Sequence, residues 1–138
     1  MSTSGTYIPW ADKDILALIQ SFVSWRMEGA KPIEFRGSAL DDLRTFPVSV
    51  RREAGYQLHQ VQNGRDADDW KPMPTVGRGV REIRIRDADG AFRVIYVATL
   101  PEAVYVLHCF QKKTEKTTKG DLDVAAKRYR DLFNEVGQ

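Results

Sequence analysis

Between Val76 and Lys119 the chain carries nine basic side chains, Arg78, Arg81, Arg84, Arg86, Arg93, Lys112, Lys113, Lys116 and Lys119, against five acids, Glu82, Asp87, Asp89, Glu102 and Glu115. That stretch holds a charge of +4, while the whole chain holds only +2, so the remainder is slightly acidic. Concentrated positive charge is the footprint of a surface that meets a polyanion such as RNA. Arginine suits this work because its planar fork grips two phosphate oxygens and never loses its charge. The same residues also suit a plain solvated strand face, where Lys and Arg abound.

Few other side chains offer chemistry. His108 has the pKa range best fitted to acid–base work, but it alternates in phase with Val104, Val106 and Phe110, which predicts a hydrogen-bonded histidine on a buried face. His59 falls on a predicted helix and carries no signal. Cys109 is the single cysteine, so no internal disulfide forms and Cys-rich zinc sites are excluded. It alternates with Tyr105 and Leu107, which predicts a packed thiol without an activating neighbour. Trp10, Trp25 and Trp70 are able to stack on bases, with core anchoring as the plainer reading. No metal or other cofactor is implied.

The elements that must position these groups follow from hydrophobic periodicity. Ile15, Leu18, Ile19, Phe22, Val23 and Trp25 mark an amphipathic helix from Asp12 to about Glu28, stopped by Gly29 and Pro32. Its apolar face needs a partner, either the main domain or another chain. Met27 is a candidate start of a shorter protein, with residues 1–26 an upstream extension. Ile33 to Arg36 reads as a short strand. Ser38 caps a short helix over Ala39 to Thr45, which Phe46 and Pro47 break. A longer helix opens at Val48 or Ser49 and closes at Asn63 and Gly64, with Val50, Ala54, Leu58 and Val61 on one face. Residues 65–79, rich in Asp, Pro and Gly, read as a loop anchored by Trp70.

The period then becomes two. Val80 to Arg86 alternates, with Ile83 and Ile85 on one side and Glu82, Arg84 and Arg86 on the other. Asp87 to Gly90 is a hairpin connection, Phe92 to Ala98 the second strand and Val104 to Phe110 the third. After Lys119 a helical stripe returns through Leu122, Tyr129 and Val136, capped by Thr117 or Thr118. The order predicts an α+β fold, in which a twisted antiparallel sheet made of a short N-terminal strand and a three-stranded meander packs against helices, with an additional N-terminal helix. No apolar run approaches the ~20 residues of a membrane span. The start, Met1 to Trp10, lacks the basic region and long apolar stretch of a secretory signal, so a cytoplasmic setting is expected.

Val80-Arg-Glu-Ile-Arg84, Phe92-Arg-Val-Ile-Tyr96 and the run "LHCFQKKT" from Leu107 to Thr114, followed by Lys116, Thr117 and a closing helix, resemble the RelE/ParE superfamily of toxins, most of all its phage-related HigB-like branch. The likeness covers roughly Ile33 to Phe133. It divides the chain into an N-terminal extension, residues 1–32, and a RelE/HigB-like domain, residues 33–138. Three features depart from the family pattern: the helix over 12–28, Thr118 where a proline is common, and the position of Tyr129 inside the last helix, which puts a tyrosine acid or base step in doubt.

The resemblance implies a toxin of a type II toxin–antitoxin system that acts as a metal-independent messenger RNA endoribonuclease, often on ribosome-bound message. It implies a cognate antitoxin, expected to be a helix-turn-helix protein, that would cover Arg84 and Arg93 or wrap the helices. The reaction is attack of a ribose 2′-hydroxyl on the adjacent phosphate. Arg84 and Arg93 then stabilise phosphate charge from neighbouring strands. Lys113 acts as a phosphate clamp or acid, and Glu82 either takes the hydroxyl proton or orients an arginine. Lys112, Lys116, Lys119 and Arg86 contact RNA backbone, and His108 is a further acid or base. Arg81 has the opposite strand parity and stands apart from this set. Two other readings remain: a ParE-like toxin that inhibits DNA gyrase without being an enzyme, and an inactive phage-derived binding module, because a fold does not fix a function.

Overall fold

A computed structural model describes residues 30–136. The expected helix over 12–28, Trp10, Trp25 and the candidate start at Met27 lie outside the described residues. Among those described, eight elements follow in order: β1 (Ile33–Phe35), α1 (Ala39–Arg44), α2 (Val48–Gln62), β2 (Trp70–Pro72), β3 (Val80–Asp87), β4 (Gly90–Val97), β5 (Val104–Lys112) and α3 (Lys119–Val136). The fold is α+β, with five strands in the order β1-β5-β4-β3-β2. The predicted meander is present as β3, β4 and β5. The sheet is mostly antiparallel, because β1 runs parallel to β5 with Ile33 opposite Val104.

Residues 65–79 are not all loop. Trp70 to Pro72 pairs antiparallel with β3, Trp70 opposite Ile83 and Lys71 opposite Glu82. The strand is short, lies at the sheet edge and ends in proline, which edge strands tolerate. The preceding segment is tied to α2 by Gln57, which is buried; its Oε1 accepts from the Asp68 amide at 2.7 Å and its Nε2 donates to Asp68 Oδ2 at 2.9 Å. Hydrogen bonds from Gln57 and Gln60 hold the Asp68 carboxyl below its usual range. Trp70 packs against the core as an anchor, as the sequence suggests.

Alternation sorts the strand side chains onto two faces. Ile83, Ile85, Phe92, Val94 and Tyr96 pack on Leu43 of α1 and on Val50, Ala54 and Leu58 of α2. On the other side Val80, Ile95, Val97, Tyr105 and Leu107 pack on Ala125 and Leu132 of α3. A bulge interrupts β5: Ile95 faces His108 while Tyr96 faces Val106, so Leu107 is an extra residue. This corrects the expected phase. His108 shares a face with Leu107 and Phe110, and Val104 and Val106 point the other way, beside Cys109.

The hairpin joining β3 to β4 closes in two residues, with Asp87 opposite Gly90. Gly90 has φ +130°, a conformation open mainly to glycine, and its pairing with Asp87 starts β4 ahead of its apolar run. Ser38 sits at the head of α1, but its hydroxyl donates to Asp42 Oδ2 at 2.8 Å instead of capping the backbone. Among the described residues no helix is long and apolar enough to cross a membrane.

Candidate functional site

The face that carries α3 is only partly covered. The helix sits over the half containing Ile95, Val97 and Leu107, and the half nearer the β3–β4 hairpin keeps exposed Lys71, Arg84 and Arg86. Register places the cations in rows. Arg84 lies directly opposite Arg93, and Arg93 opposite Phe110. Arg86 faces Ala91, which faces Lys112. Lys71 faces Glu82 from the edge strand. Neighbouring strands lie about 4.8 Å apart, so these side chains share one patch of sheet.

At its centre is a buried ion pair. The Glu82 and Arg93 side chains are 1% and 4% exposed, with Arg93 Nε 3.6 Å from Glu82 Oε1. Neither of those two atoms has a hydrogen-bond partner among the described residues, so charge alone holds them. Glu82 Oε2 accepts from Thr117 Oγ1 at 3.1 Å, and an Arg93 terminal nitrogen donates to the Phe92 carbonyl at 3.0 Å. Burial pulls the Arg93 pKa down, Glu82 opposes this, and Arg84 and Arg86 add to the depression. Lys112 is affected likewise: burial lowers its pKa first and the neighbouring Arg93 lowers it further. A single buried carboxylate thus lies among five cations, Lys71, Arg84, Arg86, Arg93 and Lys112.

The outer members, exposed Lys71, Arg84 and Arg86 and half-buried Lys112, differ in freedom. Arg84 is clamped on Asp69, with Nε at 3.0 Å and a terminal nitrogen at 2.9 Å from one carboxylate oxygen. Asp69 is the residue beside β2 whose backbone carbonyl also accepts from the Arg84 amide. Arg86, Lys71 and Lys112 form no ion pair among the described residues.

Of the four residues expected to do chemistry, the structure brings Arg84, Arg93 and Glu82 together and leaves Lys113 out. Lys113 lies past the end of β5, and its Nζ donates to Gln111 Oε1 at 3.2 Å, on the side of Phe92. Of the expected backbone contacts, Arg86 and Lys112 join the patch. Lys116 is exposed in the loop beside Thr117, and Lys119 pairs with Asp123 at 2.8 Å on α3. His108 is buried, as expected. Its Nε2 lies 2.8 Å from Asp121 Oδ1, and its ring stacks on Phe110 at 4.9 Å between centroids. One strand, β4, lies between it and Glu82, a separation of two strand spacings or roughly 10 Å.

Sequence reasoning missed Lys71, Asp69, Thr117 as a partner of Glu82, and Asp121. Lys71 and Asp69 sat in an apparent loop. Thr118, one of the two expected caps, does cap α3: its hydroxyl accepts from the Asp121 amide at 3.2 Å and donates to Asp121 Oδ2 at 2.8 Å. The other candidate, Thr117, is spent on Glu82. The two threonines and Asp121 therefore fix the start of α3 to the sheet at the boundary of the basic patch. Tyr129 donates its hydroxyl to the Arg78 carbonyl at 2.9 Å, well away from that patch.

These features define a small α+β protein that presents half of a sheet face as a cationic surface. Residues 41–130 match the family model described as Phage derived protein Gp49-like (DUF891), and the chain belongs to that family. The matched span runs from α1 into α3 and takes in every residue of the basic patch. No curated protein matches the chain.

Proposed function

We propose that this chain is a toxin of the RelE/ParE superfamily, of the HigB-like branch, that binds RNA on the uncovered half of the sheet and cuts it without a metal. The observation that carries this reading is the gathering of Lys71, Arg84, Arg86, Arg93 and Lys112 around one buried carboxylate. The exposed cations take the phosphates. Arg93 lies beneath them and adds positive potential at the place where phosphate charge grows in the transition state. Glu82 is too deeply buried to meet a ribose hydroxyl, so it orients Arg93 and tethers Thr117. The 2′-oxygen attacks phosphorus, its proton passing to solvent, and a 2′,3′-cyclic phosphate forms as the bond to the 5′-oxygen breaks. Lys112, its pKa lowered, supplies the proton that the leaving oxygen needs. A cognate helix-turn-helix antitoxin would silence the protein by covering Arg84 and its neighbours.

Purified protein incubated with message, free and ribosome-bound, in the presence of EDTA tests this. Cleavage to cyclic-phosphate ends is the expected result. Intact RNA in both settings would overturn it, and inhibited gyrase supercoiling in the same preparation would favour the ParE-like alternative.

A further inference from the structure

On the opposite side of the sheet, between β2 and the end of α2, lies a cavity of about 550 Å³. That volume falls within the range of small-molecule sites. We propose that it binds a nucleoside monophosphate unit. This goes beyond the nuclease reading and is tested without cleavage.

Three features select that chemistry. The Arg81 guanidinium lies over the Trp70 ring at 3.8 Å from its centroid and bonds Asp66 Oδ1 at 2.9 Å, so a flat cation is fixed at the cavity wall. Guanidinium planes stack on nucleobases. Tyr96 also lines the cavity; it is 1% exposed, and its hydroxyl has the Arg81 guanidinium beside it but completes no well-formed hydrogen bond among the described residues. A buried hydroxyl that is poorly satisfied is costly, and the polar edge of a base would complete its bonding. The rim carries Arg65 and Arg78, both exposed and outside any ion pair among the described residues, of which Asp66 is the only acid that lines the cavity. Cations at the rim suit a phosphate, while Val61, Pro72, Val80 and Ala98 supply apolar wall for a ring.

The test is calorimetric titration of the full chain with AMP, GMP, CMP and UMP, against ribose 5-phosphate as the baseless control. At least one mononucleotide should bind about tenfold tighter than ribose 5-phosphate, the worth of one stacked and hydrogen-bonded base. Tyr96→Phe should weaken it about tenfold, with a melting curve that shows the variant folded. Arg81→Ala should weaken it at least as much. The double variant Arg84→Ala with Lys112→Ala should bind as wild type. A trinucleotide that displaces the mononucleotide assigns the site to one residue of an RNA strand; one that fails to displace it assigns the site to free nucleotide. The proposal is overturned if no mononucleotide outcompetes ribose 5-phosphate, if Tyr96→Phe and Arg81→Ala both bind unchanged, or if the Arg84/Lys112 variant loses binding.

Discussion

Arg93 and Glu82 set the chemistry of the patch by depending on each other. Removing one partner of a buried pair strands the other charge, whereas replacing both by apolar side chains is often neutral. Arg93→Ala is therefore expected to cost about 3–5 kcal/mol in a urea melt. The combination of Glu82→Leu with Arg93→Met should recover most of that loss. A cost under about 1 kcal/mol for Arg93→Ala would mean that the pair contributes no more than an exposed one. It follows that Arg93→Ala tests catalysis poorly, since lost activity would be confounded with lost fold. Arg84 and Lys112 are the cleaner probes. Part of this was legible from sequence: the turn at Asp87 to Gly90 fixes register, and register alone makes Arg84 and Arg93 neighbours. The choice between Lys112 and Lys113 was not, because it turns on where β5 ends, and a one-residue shift reverses the face. Nor was the burial of Glu82, whose second partner, Thr117, lies 35 residues further along the chain.

At the scale of elements, the long periodic segments were the legible ones. The meander and the closing helix follow from strong alternation and a continuous apolar stripe. β2 was hidden because three residues ending in proline carry no measurable period, and with it went Lys71 and Asp69. The bulge at Leu107 was hidden because alternation read straight through it assigns Val104 and His108 to one face; the inserted residue changes the parity. α3 is held by contacts at its first turn and at its middle. There the ring of Tyr129 lies against Gly77, where an added Cβ would come within 2.4 Å of it. Tyr129 is itself packed on Phe133, with centroids 4.6 Å apart, so it has little room to retreat. Gly77→Ala should destabilise by about 1–3 kcal/mol. The same substitution in a Tyr129→Ala background should cost much less, and a double-mutant cycle showing no coupling would contradict the packing described.

Over the whole molecule, two apolar clusters share one sheet, with α1 and α2 on one side and α3 on the other. Cys109 reports on that arrangement. It is buried on the α1 and α2 side, and burial pushes its thiol pKa far above the ordinary value. The raised folded pKa means that its contribution to stability is complete at pH values below about 8.5 and falls as the pH rises further, because only the unfolded chain can then ionise it. Labelling by a thiol reagent at pH 8 should be at least about a thousandfold slower than for a free peptide, in line with the small unfolded fraction of a stable domain. It should accelerate in Arg93→Ala in proportion to the lost stability, and labelling at the free-peptide rate would contradict a closed core. The same sheet that buries Cys109 on one face leaves its other face half open, and the proposed function belongs to that open half. The most direct measurement compares RNA cleavage by the wild type with cleavage by the double variant Arg84→Ala, Lys112→Ala, both confirmed as folded by their melting curves. The wild type should cut and the variant should fall by about a hundredfold or more, as loss of charge stabilisers does elsewhere. A variant that cuts as fast as the wild type, or a wild type that leaves RNA whole, would contradict the assignment of this face.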